Sequence, residues 1–404
     1  MAAIRRWLLG AALCGGAVIG ACRSPVDDGG AAAPTGDAST APDSASSDGE
    51  ADGGFAWDLP PGFPRPPVPA DNPMTAEKVE LGRRLFYDKT LSIDGTYACA
   101  TCHVQSKAFT DGRARGLGVT GEMHARGAPG LANVGYMATL TWPNPILVLL
   151  EKQALLPLFG TSPVELGLAG KEEELLARLR GDARYPALFA RAFPSSGGAI
   201  SLATITQALA SFERTILSGR SPYDRLVIDH DGSTMSDSAK RGSELFFSEK
   251  ADCYHCHGGF NFTDSVVRAD SSFVETAFHN TGLYDVDGKG GYPAGSYGLF
   301  EFTGKAEDMG KFRAPSLRNV ALTAPYMHDG SVATLEDVIE VYVRGGRAIA
   351  DGPNAGDGAT NPFKDGLVRP LPLTASDKQD LAAFLRSLTD ESLLVDPRFG
   401  PPAD

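Results

Sequence analysis

Cys99-Ala-Thr-Cys102-His103 is a C-x-x-C-H string, and the chain carries a second one, Cys253-Tyr-His-Cys256-His257. Two thiols about one helical turn apart can add to the vinyl groups of a porphyrin, and the adjacent imidazole then reaches the iron. The string is the attachment signature of c-type haem. Two separated C-x-x-C pairs could instead supply the four thiolates of a zinc ribbon. A ribbon has no use for a histidine after each pair, and an exported chain seldom keeps four thiols reduced. The pattern therefore predicts two covalent haems, on Cys99, Cys102 and His103 and on Cys253, Cys256 and His257, with both histidines as iron ligands.

Export is itself expected from the first residues. Arg5 and Arg6 precede an apolar run, residues 7–19, that is too short for a permanent membrane span. Ile19-Gly20-Ala21-Cys22 resembles a bacterial lipobox, so residues 1–22 read as a lipoprotein signal peptide with Cys22 acylated; an ordinary signal peptide is the alternative. Cys14 competes poorly because bulky Leu13 precedes it. With Cys22 lipidated and four cysteines on haem, no structural disulfide is expected. Residues 23–56, rich in Ala, Gly, Ser and Asp, read as a disordered tether. The expected location is the periplasmic side of the bacterial envelope, at the outer membrane, with contact to the membrane only through the lipid. A net charge of −13 argues against nucleic acid as a partner.

The 404 residues contain a repeat beyond the haem strings. Gly82-Arg-Arg-Leu-Phe86 precedes the first string and Gly242-Ser-Glu-Leu-Phe246 the second. Phe109-Thr-Asp111 follows the first and Phe262-Thr-Asp264 the second. Ala128-Pro129-Gly-Leu-Ala-Asn133-Val matches Ala314-Pro315-Ser-Leu-Arg-Asn319-Val at one constant offset. The expected fold is mainly α: two cytochrome c-like mono-haem domains from an internal duplication, residues 57–220 and 221–404, with long loops. Apolar spacing predicts helices over 76–88, 202–217 and 377–388. The Gly- and Pro-rich stretch 285–298 is expected to need the cofactor for its order. Asp285-Val-Asp287-Gly288 reads as a turn, since the later ligands of a calcium loop are missing. The many prolines of 60–73 predict an extended lead-in.

Function turns on the face of each iron opposite the histidine. A haem with two strong protein ligands moves electrons, whereas one with a free position can bind peroxide. Thr334 to Gly345 reads as a helix with Thr334 as N-cap and Gly345 and Gly346 as its end. Leu335, Val338, Ile339 and Tyr342 share one face, and periodicity alone favours Tyr342 as a core aromatic. At the constant offset Tyr342 falls opposite Leu156, beside Pro157, and neither of those side chains can bind iron. The first haem is thus expected to be the reactive one. Gln153 and Glu165 lie close by in sequence as groups able to move protons. A solvated role for Glu165 and a loop role for His124 stand as alternatives.

From about Trp57 onward the chain resembles the bacterial di-haem cytochrome c peroxidase/MauG superfamily. The likeness rests on both C-x-x-C-H strings, Trp142, Gln153-Ala-Leu-Leu-Pro157, Glu165-Leu, and Phe312-Arg-Ala-Pro-Ser-Leu-Arg-Asn-Val-Ala-Leu-Thr-Ala-Pro-Tyr-Met-His328-Asp-Gly. Where the peroxidases of the family carry a Met ligand and the MauG-type enzymes a Tyr, this chain has Tyr342, with Met309 and Met327 as fallback ligands. Pro73-Met-Thr, Leu140-Thr-Trp-Pro-Asn-Pro and His257-Gly-Gly-Phe-Asn-Phe-Thr-Asp are closest in wording to the MbnH branch of di-haem enzymes, associated with methanobactin operons. That resemblance implies oxidation of Trp side chains in an MbnP-like partner protein by hydrogen peroxide, through a high-valent state shared by both irons. It implies a peroxidatic pocket around Gln153, Pro157 and Glu165, to which the residues themselves add His124 as a candidate, and Trp142 as a relay between the haems. It also implies a calcium ion on backbone oxygens of Thr323 and Pro325, although Gly127 stands where many relatives have an Asn that helps bind it. The rival expectations are a peroxidase fed by a small cytochrome and a di-haem electron carrier without peroxide chemistry.

Overall fold

Helices form where a side-chain cap meets an amphipathic run. Thr75 accepts a hydrogen bond from Lys78 N at 3.2 Å and starts α1, Ala76–Tyr87. Two short helices follow, α2 (Leu150–Gln153) and α3 (Leu155–Phe159). Ser201 and Thr204 cap each other at the head of α4, Leu202–Arg214. Ser236 opens α5 (Asp237–Phe246), Thr334 opens α6 (Leu335–Arg344), and Thr374 opens α7 (Ala375–Ser387). Gly345, with φ of 73°, ends α6 in the left-handed conformation that glycine adopts without strain. The two strands found, β1 (Ala348–Ile349) and β2 (Gly356–Asp357), pair antiparallel with Ala348 opposite Asp357. The mainly helical expectation therefore holds; the 202–217 helix stops at Arg214 because Thr215 and Ile216 turn back in a tight bend.

The structure is a computed structural model that describes residues 54–403 apart from Glu275. Cys14, Cys22, the expected signal peptide and nearly all of the expected tether lie outside these residues. Among the described residues no helix is long and apolar enough to cross a membrane.

The same helix crossing occurs twice. At Gly82 of α1 a Cβ atom would sit 1.9 Å from Ala208 O and 2.9 Å from Phe212 Cβ of α4. At Gly242 of α5 it would sit 1.9 Å from Asp380 O and 2.8 Å from Phe384 Cβ of α7. Around the first crossing lies one hydrophobic cluster with Leu85, Phe86 and Phe212 at its centre. Around the second lies another, with Phe246, Phe262 and Phe384. The chain's end returns to the first cluster through Leu393 and Phe399. A buried polar seam holds the stretch between the halves. Asn133 Nδ2 donates to Ser218 O at 2.8 Å, Asn319 Nδ2 to Ser218 Oγ at 2.9 Å, and Asp390 Oδ2 accepts from Gly219 N and Arg220 N at 3.0 Å.

Two sequence-based expectations meet different outcomes here. The 60–73 lead-in is free of helix, and it packs: Phe63 stands edge-on to Phe260, and Pro64 O accepts from Tyr136 Oη at 2.6 Å. The stretch 285–298 carries local hydrogen bonds of its own, beside any order that a cofactor would add. Asp287 Oδ1 accepts from Lys289 N at 2.9 Å and Gly291 N at 2.8 Å, and Asp285 Oδ1 from Gly290 N at 2.9 Å. Carboxylates bonded to their own backbone close such turns.

Alanine at Gly82 or Gly242 must push two helix backbones apart. Overpacking of this kind costs about 1–3 kcal/mol, beyond what alanine returns in helix propensity. Chemical denaturation of G82A and G242A should show that loss in each; a midpoint equal to wild type would mean that the crossings yield freely.

Candidate functional site

Each C-x-x-C-H string folds so that its histidine offers one nitrogen. Cys99–Cys102 forms one helical turn, and His103 Nδ1 lies 2.8 Å from Phe109 O. That carbonyl comes round because Ala108 and Phe109 both take positive φ, 51° and 61°. In the second string His257 Nδ1 lies 3.1 Å from Pro315 O and 3.3 Å from Phe262 O, and Phe262 has φ of 49°. A backbone carbonyl can only accept, so Nδ1 carries the proton and Nε2 keeps its lone pair, the arrangement of a metal-binding histidine. Burial lowers the pKa of both imidazoles and keeps them neutral.

Both strings line one cavity of 740 Å³. Protein interiors pack too densely to leave such room by accident. Kept dry and unfilled, it would cost on the order of 18 kcal/mol at ~24 cal/mol per Å³, more than the ~5–15 kcal/mol that stabilises a typical domain. Four cysteines free of disulfides edge this space, and two neutral imidazoles stand beside it. The two thiol pairs do not converge on a ribbon: among the described residues, the groups of three potential metal-ligand side chains are Cys256, Asp264 and His279, and Glu249, Asp252 and His255. The residues present therefore fit two covalently attached haems.

The walls differ between the halves. On the second, α6 presents Leu335, Val338, Ile339 and Tyr342 to the cavity. Burial pushes the Tyr342 phenol well up, and the nearby Cys256 and Cys253 thiols add to the shift. On the first, α2 and α3 present Gln153, Leu156 and Pro157. A hairpin, residues 116–126, brings His124 beside the segment that carries Glu165: Gly118 abuts Val164 so closely that a Cβ would lie 1.7 Å from its carbonyl oxygen, and Val119 N donates to Glu165 O at 2.8 Å. Burial raises Glu165 to about 7 and lowers His124, whose Nε2 is buried without a hydrogen-bond partner. Sequence spacing had no means of joining His124 to Glu165.

Trp142 joins segments of both halves. Its Nε1 donates to Gly127 O at 2.9 Å, Gly127 N donates to His328 O at 2.9 Å, and Arg313 N donates to Trp142 O at 3.0 Å. Thr323 and Pro325 also border the cavity, and Thr323 Oγ1 donates to Val320 O at 3.1 Å. Three further residues were given no role by the sequence, two of them inside the Phe312-to-Gly330 motif and one, Glu213, outside any motif. His328 stacks on Phe312 with ring centres 3.7 Å apart, Arg313 is buried with its pKa lowered to about 10 by desolvation, and Glu213 is a buried carboxyl on α4. Only a three-dimensional neighbourhood distinguishes these from ordinary helix and loop residues.

A mainly helical chain with two C-x-x-C-H strings on one cavity defines a di-haem protein of the c type. Residues 76–232 match the family model described as di-haem cytochrome c peroxidase. The methylamine utilization protein MauG of Methylophilus methylotrophus is 35% identical, covering 84% of this chain and 92% of its own. The cytochrome-c peroxidase IdrP1 of Denitromonas iodatirespirans is 36% identical over 84% of this chain and 90% of its own. Among solved structures, a MauG-like protein associated with microbial copper homeostasis is 54% identical with a TM-score of 0.84, covering 86% of this chain and 99% of that one. The chain belongs to the di-haem cytochrome c peroxidase/MauG family, a family of peroxide-using enzymes with two c-type haems.

Glu165 holds its proton more tightly in the folded chain than in the unfolded one. Its contribution to stability is complete below the ordinary carboxylate range and is lost as pH rises through about 7. In thermal melts of the haem-loaded protein, Glu165→Gln should flatten the decline over that interval. An unaltered profile would place the Glu165 carboxyl in water.

Proposed function

We propose that the chain is a MauG/MbnH-like oxidase that uses hydrogen peroxide to oxidise Trp side chains of an MbnP-like partner protein. Cys99, Cys102 and His103 hold the reactive haem in residues 57–220. Cys253, Cys256, His257 and Tyr342 hold its capped twin in residues 221–404, and the twice-used helix crossing supports that division. When bound, the two haems supply peroxide activation and storage of oxidising equivalents. The observation that carries the reading is the unequal wall: a phenol on one side of the cavity, aliphatic Leu156 and Pro157 on the other.

The polypeptide's own tasks follow from that inequality. Proton transfer between the two oxygens of peroxide needs a group near neutrality, and Glu165, at about 7, suits it. Gln153 can orient the oxidant by hydrogen bonding, Pro157 and Leu156 keep the position free of ligands, and His124 can exchange protons with Glu165 across the hairpin. An anionic oxygen donor such as tyrosinate favours the higher oxidation states of iron, so Tyr342 disfavours easy acceptance of electrons from a donor cytochrome. Trp142, tied to backbone of both halves, is the relay between them. Calcium on Thr323 and Pro325 belongs to the same proposal, with Gly127 O committed to Trp142. Export as a lipoprotein anchored at Cys22, facing the periplasm from the outer membrane, completes it.

A second reading, a peroxidase fed by a small cytochrome, is favoured by the comparable identity to a cytochrome-c peroxidase. Stoichiometric peroxide added to the fully oxidised protein separates the two. Spectral change at both haems without reductant is expected here; rapid turnover with reduced cytochrome c would select the second reading, and inertness would leave an electron carrier.

Tyr342→Phe should alter the absorption and EPR spectra of the second haem alone. Spectra identical to wild type would remove Tyr342 from the ligand set.

A further inference from the structure

The two helix crossings repeat contact for contact, and they differ in one telling residue. Gly82 rests on Ala208 and Phe212, and Gly242 rests on Asp380 and Phe384. Phe212 thus corresponds to Phe384, and the next residues, Glu213 and Leu385, correspond as well. Both line the cavity, as do Leu209 and Leu381 one turn earlier. A leucine is what packing against an apolar cofactor asks for. Where the second half has one, the first half has a carboxyl.

That carboxyl is poorly provided for. Glu213 is 7% exposed, and its Oε2 is buried with no hydrogen-bond partner. It acts electrostatically on Cys99, which places it at the edge of the first attachment site. The charged groups on the packed elements make their hydrogen bonds elsewhere, although Arg214 Nη1 is itself buried without a partner. Arg214, next in the chain, pairs with Glu151 of α2 at 2.8 Å. Lys78 of α1 donates to Asn72 Oδ1 at 3.1 Å and to Pro73 O at 2.7 Å. Burial dominates the carboxyl's titration, with Arg214 pulling down and Glu151 pushing up, and holds it at about 8. An unpaired buried acid is costly where a leucine would be favourable, so Glu213 is not explained by packing.

We propose that Glu213 is a proton-holding residue of the first haem centre. Where Glu213 is ionised, gain of one electron by a haem at that centre from a one-electron donor would be matched by uptake of one proton from solvent at the carboxylate, forming an O–H bond; loss of the electron would return the proton to water. The pairing keeps the charge of a dry cavity wall constant, where an uncompensated charge is strongly disfavoured. The second half, with Leu385, has no such group at this position. The proposal rests on attachment of the first haem at Cys99, Cys102 and His103.

The test is a spectroelectrochemical titration of the haem-loaded full chain across pH, with small-molecule mediators as electron donors. The first haem's potential should fall with rising pH along a one-proton-per-electron slope over the interval in which Glu213 is ionised in the oxidised protein and protonated in the reduced one. Glu213→Gln, of equal shape, should remove that slope, Glu213→Leu should do the same, and the second haem's profile should not move. A Glu165→Gln background keeps the other buried carboxyl of this cavity out of the comparison. If Glu213→Gln keeps the wild-type slope while peptide mass spectrometry finds haem on Cys99 and Cys102, the proposal is overturned. If those cysteines carry no haem in the wild type, the attachment reading fails first and takes this one with it.

Discussion

At Gly82 and again at Gly242, two helix backbones lie so close that a methyl group would strike a carbonyl oxygen. Contact at that range fixes both the crossing angle and the rotation of each helix about its axis. Rotation decides which side chains face inward. Leu209 and Glu213 of α4, and Leu381 and Leu385 of α7, are turned to the cavity for that reason. Neither cysteine string could frame a large planar cofactor if these helices were free to slide, because the opposite walls would shift with them.

On this shared frame the two halves depart in polarity. The second half places one phenol, Tyr342, on the cavity and leaves the imidazole nitrogen His328 Nε2 without a partner. The first half places a half-buried carboxyl, Glu165, a buried one, Glu213, and the partnerless imidazole nitrogen His124 Nε2 on it. Burying such groups opposes folding.

The order in which these features became legible follows the range of the interactions. Local signals spoke clearly in the sequence: Thr334 as cap, Gly345 as terminator, the spacing of Leu335, Ile339 and Tyr342, and the cysteine strings themselves. The repeat announced Phe212 and Phe384 only indirectly, through Gly82 and Gly242. Hidden altogether were contacts made by backbone across long separations. Phe109 O finds His103 through two left-handed residues, Gly118 accepts Val164 at its bare Cα, and Ser218 gathers Asn133 and Asn319 into one seam. No side-chain pattern encodes these, since a carbonyl is the same at every position. Asp285 and Asp287, read from the sequence as a turn because the later ligands of a calcium loop are missing, spend their oxygens on local N–H groups.

Communication between the halves depends on the same backbone currency. Met137 pairs with Val266 as an isolated bridge, Ala138 N donates to Ser265 O at 3.1 Å, and Gly127, Trp142, Arg313 and His328 form a further chain of two main-chain bonds joined by the Trp142 indole N–H. Main-chain bonds lack the rotamer freedom of side-chain contacts, so the two walls of the cavity are set at a constant separation. A glycine at 127 strengthens this: with no side chain to direct elsewhere, its N–H and C=O are both spent on residues that border the cavity. The indole held at its carbonyl is then oriented by the peptide frame itself. The relay role proposed for Trp142 would gain from that fixity, because a mobile ring would lengthen the path between the two centres as often as shorten it.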